Sequence, residues 1–171
     1  MTKKITQINQ GDFLTFKATD GNFKVIFCTS VNKESSPHSF EFAATNYSQK
    51  NKPTIEDIIN SKFYGIGNRR SDYFKYSNEQ LERMWSIHPE IKPYFLGSYG
   101  LAIWRKDFMR FRDNFELISN LKIVNNLDKN GNGGMNASGM EVLNNLFVDN
   151  INELMERRGQ QLFRTDAILK N

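Results

Sequence analysis

Gly11-Asp12-Phe13-Leu14-Thr15-Phe16-Lys17-Ala18-Thr19-Asp20-Gly21-Asn22-Phe23-Lys24-Val25-Ile26-Phe27-Cys28-Thr29 is the stretch from which the architecture is read. Two runs rich in aromatic and β-branched residues flank Asp20-Gly21, and glycine supplies the positive φ of a tight turn, so the stretch predicts a β-hairpin. Its second strand is apolar on both faces from Val25 to Cys28, the pattern of a central strand covered on both sides. Downstream, Asn32 to Pro37 reads as a loop. Phe40, Phe42 and Ala44 then alternate with period two and predict a third strand over 39–47, giving an antiparallel meander.

Helices follow. Pro53-Thr54 opens a short one through Ile55, Ile58 and Ile59, ending by Lys62, with Asp57 three places after the Thr cap. Ser77-Asn78-Glu79-Gln80 is a capping box, and Leu81, Met84, Trp85 and His88 continue at helical spacing until Pro89. Tyr94 to Trp104, broken by Gly97 and Gly100, reads as a bent strand or a hairpin. Trp104, Phe108, Phe111, Phe115 and Ile118 share one side of a helical wheel, which predicts an amphipathic helix over 105–118. Residues 121–127 fit strand or helix equally. Met140, Leu143, Leu146, Phe147, Ile151 and Leu154 mark a long helix over 140–158 with Gly159 near its end.

The expected fold is therefore α+β: an antiparallel sheet from the N-terminal half, open or curled into a barrel, packed by three amphipathic helices. A single domain over 1–171 would comprise a sheet-rich part (1–127), an Asn/Gly loop (128–139), and a docked helix and tail (140–171) whose last dozen residues are loosely held. A chain of 171 residues with 39% hydrophobic and 25% charged residues supports a real core and is neither disordered nor collagenous. Cys28 is the single cysteine, so an internal disulfide and thiol-rich zinc sites are excluded. The N-terminus lacks the apolar core of a signal peptide and no run reaches membrane-spanning length, which points to a cytoplasmic protein with no membrane partner. Abundant Asn, Lys, Ile and Phe, all with A/T-rich codons, suit a low-GC bacterial gene.

Signals for chemistry are sparse. Asp128-Lys129-Asn130-Gly131-Asn132-Gly133 matches the first half of an EF-hand loop, but position 12 is Gly139 and the nearest carboxylate, Glu141, comes two places late, so a plain Asn/Gly loop is the better reading. Tyr64-Gly65-Ile66-Gly67 lacks the third glycine of a dinucleotide fingerprint and reads as a tight turn. His38 and His88 are the only histidines and lie far apart, while Cys28 sits in the most apolar strand, where burial raises the thiol pKa and suits a structural role. Glu56 and Asp57 are helix-start carboxylates. No catalytic residue, cofactor or metal ligand is assigned. Arg69, Arg70, Tyr73, Lys75 and Tyr76 mix cations with rings and form the candidate partner-binding segment, suited to a protein interface or to stacked bases, and equally to a solvated edge strand.

Gly11-Asp12-Phe13 opening a strand, Asp20-Gly21 at the turn and Phe23 to Phe27 returning resemble the opening of small cytoplasmic immunity proteins from bacterial polymorphic-toxin and contact-dependent competition systems. The resemblance covers residues 11–47. It implies a curved antiparallel sheet and a non-enzymatic protein that binds and blocks one cognate toxin. The alternatives are a nucleic-acid-binding accessory protein using a basic and aromatic surface, consistent with the net charge of +4, and a hydrolase whose site is scattered along the chain.

Overall fold

The computed structural model describes residues 4–31, 38–68, 74–75, 77–89, 92, 95–97, 101–123, 125–126 and 135–170, with the backbone alone at 66–68, 74–75, 95–97, 125–126 and 135. In chain order the elements are β1 (Asp12–Lys17), β2 (Phe23–Ser30), β3 (Ser39–Gln49), α1 (Ile55–Asn60), β4 (Lys62–Asn68), β5 (Phe74–Lys75), α2 (Asn78–Ile87), β6 (Phe95–Gly97), β7 (Leu101–Trp104), α3 (Arg105–Phe111), β8 (Glu116–Asn120), β9 (Asn125–Asn126), β10 (Met135–Asn136), α4 (Met140–Asp149), α5 (Ile151–Arg157) and β11 (Gln161–Arg164). The expected α+β class is observed.

The hairpin forms as its sequence demands, with Phe13 opposite Phe27 and Lys17 opposite Phe23, and Gly21 at φ +81° in the turn. β2 lies between β1 and β3, so its two-faced apolar run is covered on both sides. The main sheet runs β10-β7-β3-β2-β1-β8, antiparallel throughout except for β10 beside β7. It is open, which corrects the barrel alternative. The reason lies in β3, whose outer edge pairs β7 over Ser39–Phe42 and then β4 at Thr45, so the sheet forks instead of curling shut. Two cores result, one on each face. Leu14, Phe16, Ile26, Cys28 and Phe42 face α3, α4 and α5 on one side, and Phe13, Val25, Phe27 and Ala43 face α1, α2 and the C-terminal segment on the other.

Gly11 and Asp12 clamp β8 onto this hairpin. Gly11 has φ +86° and approaches the Leu121 carbonyl so closely that a Cβ would stand 2.1 Å from its oxygen. The buried Asp12 carboxylate accepts from the Asn9 backbone N–H at 2.7 Å and from Asn120 Nδ2 at 2.8 Å. Glycine is required here by both dihedral and space.

Several boundaries differ from expectation. The helix predicted over 105–118 ends at Phe111, tightens into a 3-10 turn over Arg112–Asn114, and gives way to β8. Phe108, Phe111 and Phe115 do pack together, but Ile118 joins the opposite core, because the chain crosses the sheet edge to pair with β1. Asn114 Nδ2 donates to the Phe111 carbonyl at the stop. The helix predicted over 140–158 breaks at Asn150, whose side chain accepts from Glu153 N–H and caps α5. Gly65 and Gly67 lie inside β4, not in a turn, between β11 and β6. Phe95–Gly97 and Leu101–Trp104 pair with different strands, β4 and β3, rather than with each other. Of 121–127, Ile123 bridges Leu169 and Asn125–Asn126 forms β9, so the strand-like alternative is the one observed for these residues. The final dozen residues are not loose: β11 zips onto β4, and Phe163, Thr165 and Ala167 are completely buried. No helix among the described residues is long and apolar enough to cross a membrane.

Candidate functional site

α4 and α5 border an open concavity at the sheet edge. α4 turns Leu143 and Phe147 into the core, where Phe147 meets Phe16 edge-to-face at 5.3 Å. Its adjacent face carries Val142, Asn145, Leu146 and Asp149, which with Asn150, Glu153, Leu154 and Arg157 of the α5 region and Leu101, Asn136 and Ala137 at the sheet edge enclose an open groove of about 440 Å³. The floor is apolar: Leu101 is fully buried, Ala137 nearly so, and Leu146 packs on the core. Val142 remains 45% exposed at the rim.

The break at Asn150 sets the polar rim. Its amide donates to Glu153 Oε2 at 2.6 Å while accepting the Glu153 N–H, and Arg157 pairs with Glu153 one turn on. These bonds fix Glu153 and Arg157 at the groove edge. From Met135 to Glu156 the chain carries Glu141, Asp149, Glu153 and Glu156 and no Lys or Arg; of these Asp149 and Glu153 line the groove, together with the next residue, Arg157. An apolar floor within a polar rim is the anatomy of a protein-recognition surface.

A second surface lies where β7 runs into α3. Trp104 is 45% exposed, and Lys106 Nζ sits 5.0 Å from its ring centroid. The Arg105 guanidinium covers the Phe40 ring at 4.2 Å, donates to the Val31 carbonyl, and its backbone N–H bonds the His38 carbonyl at 2.8 Å. His38, Trp104, Arg105 and Lys106 line a hollow of about 410 Å³.

Of the candidate partner-binding segment, Arg69, Arg70, Tyr73 and Tyr76 lie outside the described residues; Lys75 is placed by its backbone on β5, opposite Asn125 of β9. Asp128 to Gly133 also lies outside them. The two histidines are not brought together. His38 borders the α3 hollow, while His88 meets Phe163 edge-to-face at 5.2 Å and its Nε2 accepts the Arg164 N–H. Cys28 is completely buried, and burial pushes its thiol pKa far up, which disfavours the thiolate. Among the described residues no three His, Cys, Asp or Glu side chains cluster as metal ligands would.

The groove residues carried two sequence signals that the expectations above do not use. One is the acidic run without cations. The other is Val142, an apolar residue beside the Leu143–Phe147 stripe that the core does not need. Comparison with family models, curated proteins and solved structures gave no match.

Proposed function

We propose that the protein binds and blocks a partner protein, as an immunity protein does with its cognate bacterial toxin, and acts by occlusion in the cytoplasm. The observation that carries this reading is the α4–α5 groove, an open concavity with an apolar floor, a rim of amides, two carboxylates and Arg157, and exposed Val142 at its edge. Such a surface gives a partner apolar area to bury and polar groups to align it. The resemblance of residues 11–47 to immunity proteins points the same way. The groove supplies shape and charge and places no histidine or cysteine in its lining.

The test is co-expression with the product of the neighbouring gene. If that product arrests growth, the wild-type chain is expected to restore it and Val142→Arg, which projects a cation across an exposed rim position, to lose the rescue while staying folded. Equal rescue by both would remove the groove from the interface, and no rescue by either would refute the inhibitor reading.

A nucleic-acid-binding role is the second reading, favoured by the exposed Trp104 with Lys106 against it and Arg105 beside it. Binding to random-sequence RNA or DNA that weakens steeply with salt, and is lost in Trp104→Ala/Lys106→Ala, would support it; salt-insensitive or absent binding would sink it.

A further inference from the structure

The groove's charge and shape together identify what kind of partner segment it takes. We infer that the α4–α5 groove receives an amphipathic helix bearing Lys or Arg beside its apolar stripe. This inference rests on the protein-binding reading and adds the chemistry of the bound segment.

Charge complementarity carries it first. The charged residues that line the groove are Asp149, Glu153 and Arg157, two carboxylates against one cation, in a chain whose net charge is +4. Asp149 and Glu153 both stand at this apolar concavity, and Arg157 is already engaged by Glu153. Asp149 is exposed on the rim and has no hydrogen-bond or ion-pair partner among the described residues, while Glu153 is held in place by Asn150 and Arg157. Fixed carboxylates at an apolar rim attract a cationic partner over a Debye length of about 8 Å and repel an acidic one. The same charges would disfavour nucleic acid at this face.

Shape carries it second. On α4 the lining residues Val142, Leu146 and Asp149, and on α5 Glu153 and Arg157, are spaced by three or four residues within each helix. Side chains at that spacing form ridges, and a facing helix with apolar residues at i, i+3, i+4 and i+7 sets its own ridges between them. Lys or Arg flanking that stripe would reach Asp149 and Glu153, while the apolar side chains would cover Leu146, Leu154 and the exposed Val142.

The test uses two labelled 14-residue helical peptides with Leu at i, i+3, i+4 and i+7, one with Lys and one with Glu at the remaining positions, titrated with the full chain in fluorescence anisotropy. The Lys peptide is expected to bind saturably, one per chain, and the Glu peptide at least about tenfold more weakly, equivalent to about 1.4 kcal/mol. Asp149→Asn/Glu153→Gln should weaken the Lys peptide about tenfold and flatten its salt dependence, and Val142→Arg should weaken both peptides. Equal affinity for the two peptides, no binding of either, or indifference to both variants would overturn the inference. A wild-type dimer in sedimentation that Val142→Arg dissociates would also overturn it by seating a second copy in the groove. If the Lys peptide fails while the chain still neutralises a toxin in a Val142-dependent way, the inhibitor reading stands and the cationic helix falls. If the peptide binds but no toxin is ever neutralised, the inhibitor reading falls and the groove's chemistry stands.

Discussion

Replacing Gly11 by alanine should be among the most damaging single-methyl changes in the molecule, and Gly21→Ala is its internal control. Both glycines have positive φ, +86° and +81°. A Cβ at Gly11 would stand 2.1 Å from the Leu121 carbonyl oxygen, whereas at Gly21 nothing lies within 4 Å. Left-handed backbone costs a β-carbon residue about 1–2 kcal/mol, partly offset by about 0.4–1 kcal/mol from the stiffer unfolded chain. That leaves Gly21→Ala at about 0–1.6 kcal/mol. At Gly11 the backbone around Gly11 and Leu121 must move apart, which strains the Leu121 N–H to Gly11 carbonyl bond of 2.9 Å and the adjoining Asn120 to Asp12 bond. With roughly 1–3 kcal/mol for each of these two hydrogen bonds added to the same backbone term, Gly11→Ala should cost about 2–8 kcal/mol in all. For a chain of this size that lowers Tm by roughly 4–30 °C. Urea unfolding followed by circular dichroism, with the two variants side by side, measures the difference. A gap under about 1 kcal/mol would show that β8 is not clamped at Gly11, and the β1–β8 seam would need another explanation.

Other consequences are equally concrete. Phe163→Ala removes a fully buried ring that meets Phe63 and His88, and should cost about 3–5 kcal/mol in urea unfolding; under 1 kcal/mol would mean that the C-terminal strand is loosely held after all. Cys28 should be inert to Ellman's reagent in the native protein and react fully in denaturant, because burial disfavours its thiolate; rapid native reaction would contradict its placement. The hydrogen bond from the Lys24 ammonium, and then the Asn22 N–H, holds the Asp20 carboxyl below its ordinary value of 3.8. A depressed folded-state pKa stabilises above the unfolded value and is lost as pH falls through the folded one, so Asp20→Asn should destabilise at pH 7 and lose that effect in strong acid. A stability difference independent of pH would refute the pairing.

The hairpin was legible because local chemistry and tertiary role agree: Asp20-Gly21 makes the turn, and Val25 to Cys28 announces a strand covered on both faces. The Thr54 and Ser77 capping boxes were legible for the same reason, since each cap bonds within its own first turn. Two boundaries were hidden by coincidence of period. Phe108, Phe111 and Phe115 satisfy a helical wheel, yet the backbone after Asn114 finds better partners along β1 than within a helix. The stripe from Met140 to Leu154 reads as one helix, although Asn150 and Glu153 form a capping pair that restarts it. β11 was illegible because its only reason to be a strand is β4, nearly a hundred residues earlier in the chain. The groove was half legible: its acidic run stands in the sequence, but the concavity depends on the break at Asn150 and on β10 lying beside β7.

Hydrogen–deuterium exchange of the chain, alone and saturated with the purified product of its neighbouring gene, addresses the inhibitor proposal most directly. Binding is expected to slow exchange across residues 136–157 and to leave the β1–β2 hairpin unchanged. Protection confined to other surfaces, or no protection at a saturating dose, would contradict the assignment of this groove as the face that blocks a toxin.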